Sequence, residues 1–299
     1  FFFGEIFAVM ELDEVEMEPM DRSRVPSSSA LSRSRVPAQM CPEYFDTIAS
    51  YLRIVERRHR PSMTYVEEVQ ADITWQMRAI LIDWLNEVTE EFNLKIDTLC
   101  LAVNYVDRYL SCVHVQRNRL QLVGVTCMLI ASKIEEIVPP SVDDFVYITD
   151  NTYTRDELTK MEIVILNQLE FCLTAATVRD FVGIYLRVAQ ADKAVCMLVD
   201  YLVELTLQDY VFLRYPPSLI AATAIVLALF TAEARCWSDS LSYYTRYQPQ
   251  ELNDCLRDMH RCYAHSAENT LQAVREKYSH SRFLRVSTHL RCPGCPPAF

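Results

Sequence analysis

Two acidic pairs, Glu135-Glu136 and Asp143-Asp144, and the tetrad Cys292-Pro293-Gly294-Cys295 come closest to metal chemistry by residue type and spacing. A magnesium-dependent all-α enzyme of the terpenoid-synthase kind needs a third carboxylate, as in Asp-Asp-x-x-Asp. Here Asp143-Asp144 runs on into Phe145, Val146 and Tyr147, and Glu135-Glu136 into Ile137, Val138 and Pro139. Both pairs therefore read as helix-end and surface charges. A lone Cys-x-x-Cys is half of a four-ligand zinc site, so this segment reads as a tail without metal. Phosphate chemistry fails on glycine: Gly4, Gly124, Gly183 and Gly294 are the whole supply, and their spacing matches no phosphate loop or dinucleotide fingerprint. Protein-kinase signatures are absent. No nucleotide, metal or other cofactor is expected.

What remains is charge set into apolar helices. In Met77-Arg78-Ala79-Ile80-Leu81-Ile82-Asp83-Trp84, the residues Met77, Ile80, Leu81 and Trp84 share one helix face. Ile82, Leu85, Val88 and Phe92 form a second apolar set on the same helix. At about 100° per residue the two sets cover more than half the circumference. Such a helix either lies deep in a core or keeps one stripe for another protein. Arg78 projects into that arc, and unpaired it would cost several kcal/mol, so a buried carboxylate partner is required elsewhere. Lys133 closes another apolar helix, and Glu162 lies beside Ile163, Val164 and Leu166. From the residues alone, Lys133 and Glu162 could pair with each other or face a partner.

The elements that carry these residues are helical. The 299 residues suit two domains better than one. Residues 1–41 read as a disordered tail, with an acidic patch at 11–18 and Ser-Arg-Val-Pro at 23–26 and again at 34–37. The apolar first ten residues carry Glu5 and no basic leader, and do not read as a signal peptide. Residues 42–58 read as a short helix with Phe45, Ile48, Leu52 and Val55 on one face, ended by Pro61. Leu99, Ala102, Val103, Val106 and Leu110 mark an amphipathic helix, and 120–131 is apolar nearly all round, as a central bundle helix should be. Thr154-Arg155-Asp156-Glu157 has capping-box spacing. Strand signals are weak throughout. The longest apolar run, 219–229, is shorter than the roughly 18–20 residues that span a bilayer, so no membrane association is expected. A net charge of −11 argues against nucleic acid and suits basic protein partners. Of eleven cysteines, Cys100, Cys112, Cys127, Cys172 and Cys196 fall in apolar helical patterns and read as free thiols of a reducing compartment.

The chain also echoes itself. Leu122-Val123-Gly124-Val125-Thr126-Cys127-Met128-Leu129 is similar to Leu219-Ile220-Ala221-Ala222-Thr223-Ala224-Ile225-Val226, an offset of 219 − 122 = 97. Tyr153-Thr154-Arg155-Asp156-Glu157-Leu158 is similar to Tyr247-Gln248-Pro249-Gln250-Glu251-Leu252, an offset of 247 − 153 = 94. Two offsets this close imply two helical units in tandem.

An ordered set of motifs then carries a resemblance. It comprises Met77-Arg78-Ala79-Ile80-Leu81 with Asp83-Trp84-Leu85, Asn104-Tyr105-Val106-Asp107-Arg108, Leu120-Gln121-Leu122-Val123-Gly124 and Ala131-Ser132-Lys133-Ile134-Glu135-Glu136. Phe145-Val146-Tyr147-Ile148-Thr149-Asp150, Met161-Glu162 and Ala273-Val274-Arg275-Glu276-Lys277-Tyr278 continue it. Over about residues 42–285 the chain resembles the cyclins, and among them the A-type mitotic cyclins. The resemblance implies an all-α fold of two tandem cyclin boxes preceded by an N-terminal helix. The corresponding segments are a tail at 1–41, helix and linker at 42–70, the N-terminal box at 71–173, the C-terminal box at 174–275 and a C-terminal tail at 276–299.

The same resemblance implies a non-catalytic activator that forms a heterodimer with a cyclin-dependent protein kinase, controls passage from S phase to mitosis, and resides in nucleus and cytoplasm. It pairs Arg78 with Asp107 and gives Leu122 a structural place. It turns Lys133 and Glu162 toward the backbone beside the kinase's mobile C-helix, with Leu166, Phe171 and Leu173 as apolar contacts and Ile48 and Tyr51 as a second contact region. Met77, Ile80, Leu81, Trp84, Leu120 and Gln121, edged by Glu87 and Arg117, match the family's docking patch for Arg-x-Leu substrates and inhibitors. Trp84 would be the platform for the Leu and Glu87 the carboxylate for the Arg. The family's Arg-x-x-Leu destruction signal does not occur before residue 60. Arg117 with Leu120 and Arg155 with Leu158 fit that pattern but fall in helical stretches. Arg57-Arg58-His59-Arg60 fits a nuclear signal or a solvated helix end. A transcription-factor core on the same repeated fold should be basic, and this chain is acidic.

Overall fold

A computed structural model describes residues 45–233 and 237–297; the tail expected at 1–41 lies outside them. No strand occurs among the described residues. Helix α1 (Phe45–Val55) and the short α2 (Tyr65–Glu68) precede two helical cores. The first is built from α3 (Trp75–Glu91), α4 (Ile96–Cys112), α5 (Leu120–Glu135), α6 (Val142–Ile148) and α7 (Arg155–Gln168). The second comprises α8 (Val178–Val188), α9 (Lys193–Gln208), α10 (Pro217–Glu233), α11 (Asp239–Thr245) and α12 (Asn253–His265), closed by α13 (Ala273–Lys277) and α14 (Val286–His289).

The repeat inferred from sequence is the repeat of the fold. Helix α5 is apolar on every side and runs through the first core, with Leu122, Val123, Val125, Cys127, Met128 and Leu129 fully buried. Helix α10 has the same place in the second core and starts 217 − 120 = 97 residues later. At α7 the expected capping box forms: the Glu157 backbone N–H donates to Thr154 Oγ1 at 3.3 Å, and the Thr154 N–H to Glu157 Oε2 at 3.0 Å. In the second unit the Gln248 N–H donates to Glu251 Oε2 at 2.6 Å ahead of α12.

The acidic pairs are helix-end groups. Asp144 closes a capping box with Ser141 at the start of α6, Asp143 pairs with Arg155 at 2.6 Å, and Glu136 accepts from the Lys95 N–H at 2.8 Å and Thr98 at 2.6 Å at the start of α4. A carboxylate there meets the unpaired N–H groups of a helix N-terminus. The Arg-x-x-Leu matches ending at Leu120 and Leu158 are folded, both leucines being buried core residues.

Two segments differ from the sequence reading. The first helix ends at Val55, not at Arg58, because the chain turns there to bring Glu56 onto α10. Glu56 accepts from the Ser218 backbone N–H (3.0 Å) and hydroxyl (2.9 Å) while Arg53 reaches Tyr247 at 2.5 Å. The helix before the first box thus packs on the second core. The stretch 276–299, read as a tail, buries Lys277, Tyr278 and Val286. The cause is Glu204, fully enclosed on α9. Lys277 Nζ donates to both Glu204 oxygens (2.8 and 3.0 Å), and the Tyr278 hydroxyl donates to Oε1 at 2.7 Å.

Candidate functional site

Helix α3 serves three neighbours with three faces. Ile82, Leu85 and Val88 enter the first core. Asp83 turns to the second unit and accepts from Gln208 Nε2 (2.6 Å) and the Ala273 N–H (3.1 Å). The remaining stripe stays open. Met77, Ile80, Leu81, Trp84, Leu120, Gln121 and Arg117 line a groove of about 300 Å³ between α3 and α5. Ile80 is 58% exposed, whereas Leu81 is buried and forms the floor. Glu87 is exposed on α3 and is not among the lining residues. The close approach of α3 to α5 depends on Gly124: a Cβ there would stand 2.6 Å from Leu81 Cδ1.

The carboxylate that Arg78 requires is Asp107. The guanidinium donates from Nε to Oδ1 (2.6 Å) and from Nη2 to Oδ2 (2.7 Å), a bidentate pair with both residues 1% exposed. Burial acts against the Arg78 charge, but Asp107 outweighs it and holds the guanidinium pKa above its ordinary value. Tyr65 donates a further bond to Oδ1 at 2.8 Å. Arg78 Nη1 reaches the Leu207 and Gln208 carbonyls at 3.0 and 3.3 Å, so the pair also holds the end of α9 against the first core. Leu122 is fully buried beside α3 and α4 in the first core.

Lys133, in the last turn of α5, and Glu162, midway along α7, come together. Lys133 Nζ donates to Glu162 Oε1, so the intramolecular ion pair allowed by the sequence is formed. Their surroundings distinguish them from an ordinary surface bridge. Ile134, Ile137, Val138, Tyr147, Ile163, Val164 and Phe171 are all exposed, with Ile137 at 94% and Val138 at 84%. So many exposed large apolar side chains on and after α5, α6 and α7 suit a surface that a partner covers. Leu166 and Leu173 are half-buried beneath it and pack on the first core.

The Phe171 side chain stands 64% exposed because the chain after α7 is left-handed at two successive residues, Glu170 (φ 53°) and Phe171 (φ 55°). For non-glycine residues this costs energy and persists only where the surroundings enforce it. Here α4 does so: Tyr105 donates to the Leu173 carbonyl at 2.6 Å and Arg108 to that of Cys172 at 2.9 Å. The two N-terminal positions separate: Tyr51 is 56% exposed, whereas Ile48 is half-buried and packs on the second core.

Sequence reasoning missed the Arg53–Glu56–Ser218–Tyr247 cluster and the Lys277–Glu204–Tyr278 network. A signal existed for the second: Glu204 interrupts Leu202-Val203-Glu204-Leu205 much as Arg78 interrupts its own apolar helix, and required a buried partner for the same reason.

The nine described cysteines are free thiols. No helix among the described residues is long and apolar enough to cross a membrane, and no group of three or more His, Cys, Asp or Glu among them could hold a metal ion.

With this geometry in place, comparison with known proteins is unambiguous. Residues 47–174 match the model for the N-terminal domain of cyclins, and residues 176–291 the model for the C-terminal domain. Cyclin-A1-1 of Oryza sativa subsp. japonica is 46% identical over 268 residues, covering 87% of this chain and 53% of the relative. Putative cyclin-A3-1 of Arabidopsis thaliana is also 46% identical, over 86% of this chain and 75% of the relative. The chain thus spans about half the length of the rice protein and three quarters of the Arabidopsis one. Among solved structures, a viral cyclin from herpesvirus saimiri superposes with a TM-score of 0.66 at 24% identity, over 72% of this chain and 96% of that one. With both cyclin domains matched over the paired helical units, the chain belongs to the cyclin family and is similar to its A-type members.

Proposed function

We propose that this chain is the regulatory subunit of a cyclin-dependent Ser/Thr protein kinase, which it binds and activates without performing chemistry itself. The observation that carries this reading is the exposed apolar belt around Lys133 and Glu162. Ile134, Ile137, Val138, Ile163, Val164 and Phe171 present aliphatic and aromatic surface on both sides of a charged pair. Lys133 Nζ has two further N–H groups, and Glu162 Oε2 has no partner among the described hydrogen bonds. The pair can therefore bond the backbone of a docked helix while the belt is desolvated around it. Leu166, Phe171 and Leu173 extend that contact, with Tyr51 at its margin.

Activation is a population shift. A kinase whose C-helix swings outward breaks its Lys–Glu pair and loses activity. A partner that binds only the inward position moves the equilibrium by as much as it discriminates between the two states. In the same reading the groove of Met77, Ile80, Leu81, Trp84, Leu120 and Gln121 takes the leucine of Arg-x-Leu substrates and inhibitors. Glu87 lies outside that groove, one turn from Trp84, where an extended arginine would meet it. Control of S phase to mitosis, in nucleus and cytoplasm, belongs to the same proposal.

The test is capture. Immobilised purified chain is expected to retain a cyclin-dependent kinase from a proliferating-cell extract and to stimulate that kinase when it is supplied separately in pure form. Failure to bind or stimulate any kinase of that group would refute the reading.

A further inference from the structure

The turn after α1 holds a charge arrangement to which the proposed function gives no role. Arg58, His59 and Arg60 from this turn and Arg108 from α4 line a cleft of about 200 Å³, closed on its far side by the residues that follow α7. Glu170 is the one carboxylate among the lining residues and is exposed. None of the three arginines forms an ion pair with a described residue. Arg60 donates to the Leu213 carbonyl at 2.7 Å and Arg108 to that of Cys172 at 2.9 Å. This is unusual in a chain with 40 acidic residues and 29 basic ones. Against the cost of burial, Asp107 raises the guanidinium pKa of Arg78, Asp200 and Asp97 that of Arg179, Tyr247 with Glu56 that of Arg53, and Tyr215 with Asp258 that of Arg214. Arg108 has no carboxylate partner, and burial lowers its pKa. His59 is lowered by burial and then by the charges of Arg108 and Arg58. The cleft therefore concentrates positive charge with which no described carboxylate forms an ion pair, Glu170 being its one acidic lining residue.

We propose that this cleft is a docking site for a phosphate monoester carried on a serine or threonine of a bound protein. A phosphomonoester carries about −1.5 to −2 charges and three acceptor oxygens, and guanidinium forks match it. The cleft admits one such group. An extended polyanion would be repelled by the net charge of −11 on the rest of the chain. The site adjoins the exposed Phe171, so a protein engaged there passes the cleft. The proposal rests on the kinase reading for the source of the phosphate, because a kinase supplies phosphorylated partners and substrates.

The experiment needs no kinase, so the two readings fail separately. Fluorescence anisotropy follows the chain with a labelled phosphothreonine hexapeptide, its unphosphorylated form and a single-stranded DNA dodecamer. The phosphopeptide is expected to bind at least about tenfold more tightly than the unphosphorylated peptide, the worth of one charge-assisted contact. Inorganic phosphate should compete, and it should raise the titration midpoint of the His59 ring followed by NMR at constant ionic strength. Arg58→Gln, an exposed change, should weaken phosphopeptide binding about tenfold, and adding Arg108→Gln should weaken it further. Arg57→Gln, outside the cleft lining, should leave it unchanged. Equal binding of the two peptides, loss that is the same in Arg57→Gln as in Arg58→Gln, or tighter binding of the DNA would overturn the proposal.

Discussion

Replacing Asp107 by Asn is the sharpest test of how the first core is held. The change keeps the shape and removes the charge. The Arg78 guanidinium then stands in a site with 1% exposure, facing an amide that can accept only through its single oxygen. One of the two short bonds, at 2.6 and 2.7 Å, loses its acceptor, and the Tyr65 hydroxyl must compete for what is left. Breaking a buried pair from one side costs about 3–5 kcal/mol. For a chain of this size, about 2–4 °C per kcal/mol converts this to a fall in melting temperature of roughly 6–20 °C. Circular dichroism at 222 nm, in thermal and urea unfolding, reads both numbers. The double change Arg78→Met with Asp107→Leu should cost less than the sum of the two single changes, because it leaves no unpaired charge. It should not recover fully, because the Leu207 and Gln208 carbonyls lose their donor. A cost below about 1 kcal/mol for Asp107→Asn, in the range of a surface pair, would refute the argument from burial.

Other consequences are read by simpler assays. Trp84→Ala removes the wall of the groove and should raise KM for Arg-x-Leu substrates roughly 30-fold, about 2 kcal/mol of apolar contact, while sparing short peptides without the motif. Equal loss on both would make Trp84 a core residue only. Gly124→Ala places a methyl 2.6 Å from Leu81 Cδ1; Leu81 is buried and can yield only toward the groove, so stability should fall by about 1–3 kcal/mol, and docking should suffer more than kinase activation. The Glu157 carboxyl is held down to about 2 from an ordinary 4.5, first by its bond from Arg119 and then by the bonds from Thr154. Its stabilising effect is present above pH 4.5 and is lost as pH falls toward about 2, so Glu157→Gln should melt somewhat below the parent chain at pH 7, the difference closing as pH falls from 4.5 toward 2 and the acid limb of its melting-temperature profile flattening in that window.

The fold was legible because burial writes itself into periodicity. The all-round apolar character of 120–131 and 219–229 located the two central helices, and the closely similar offsets of 97 and 94 located the repeat. Arg78 announced a partner, but local spacing could not select Asp107 among forty acidic residues, since the pairing joins α3 to α4 across the core. The Met77 stripe was legible as surplus apolar surface; that Ile80 stays out while Leu81 forms the floor was not, because it depends on Leu81 packing onto Gly124 of another helix. The exposure of Phe171 was not legible, because it depends on two left-handed residues held by Tyr105 and Arg108 from another helix. Placement of α1 on the second core escaped as well: it depends on Glu56 meeting Ser218, 162 residues away.

The central claim is tested most directly by Lys133→Ala combined with Glu162→Ala, assayed for stimulation of a purified cyclin-dependent kinase alongside helical content. Lys133 lies in the last turn of α5 and Glu162 midway along α7, neither belongs to a hydrophobic core, and Ala is a good helix former, so the helix signal should be unchanged while stimulation is lost. Full stimulation by the double variant would contradict the account.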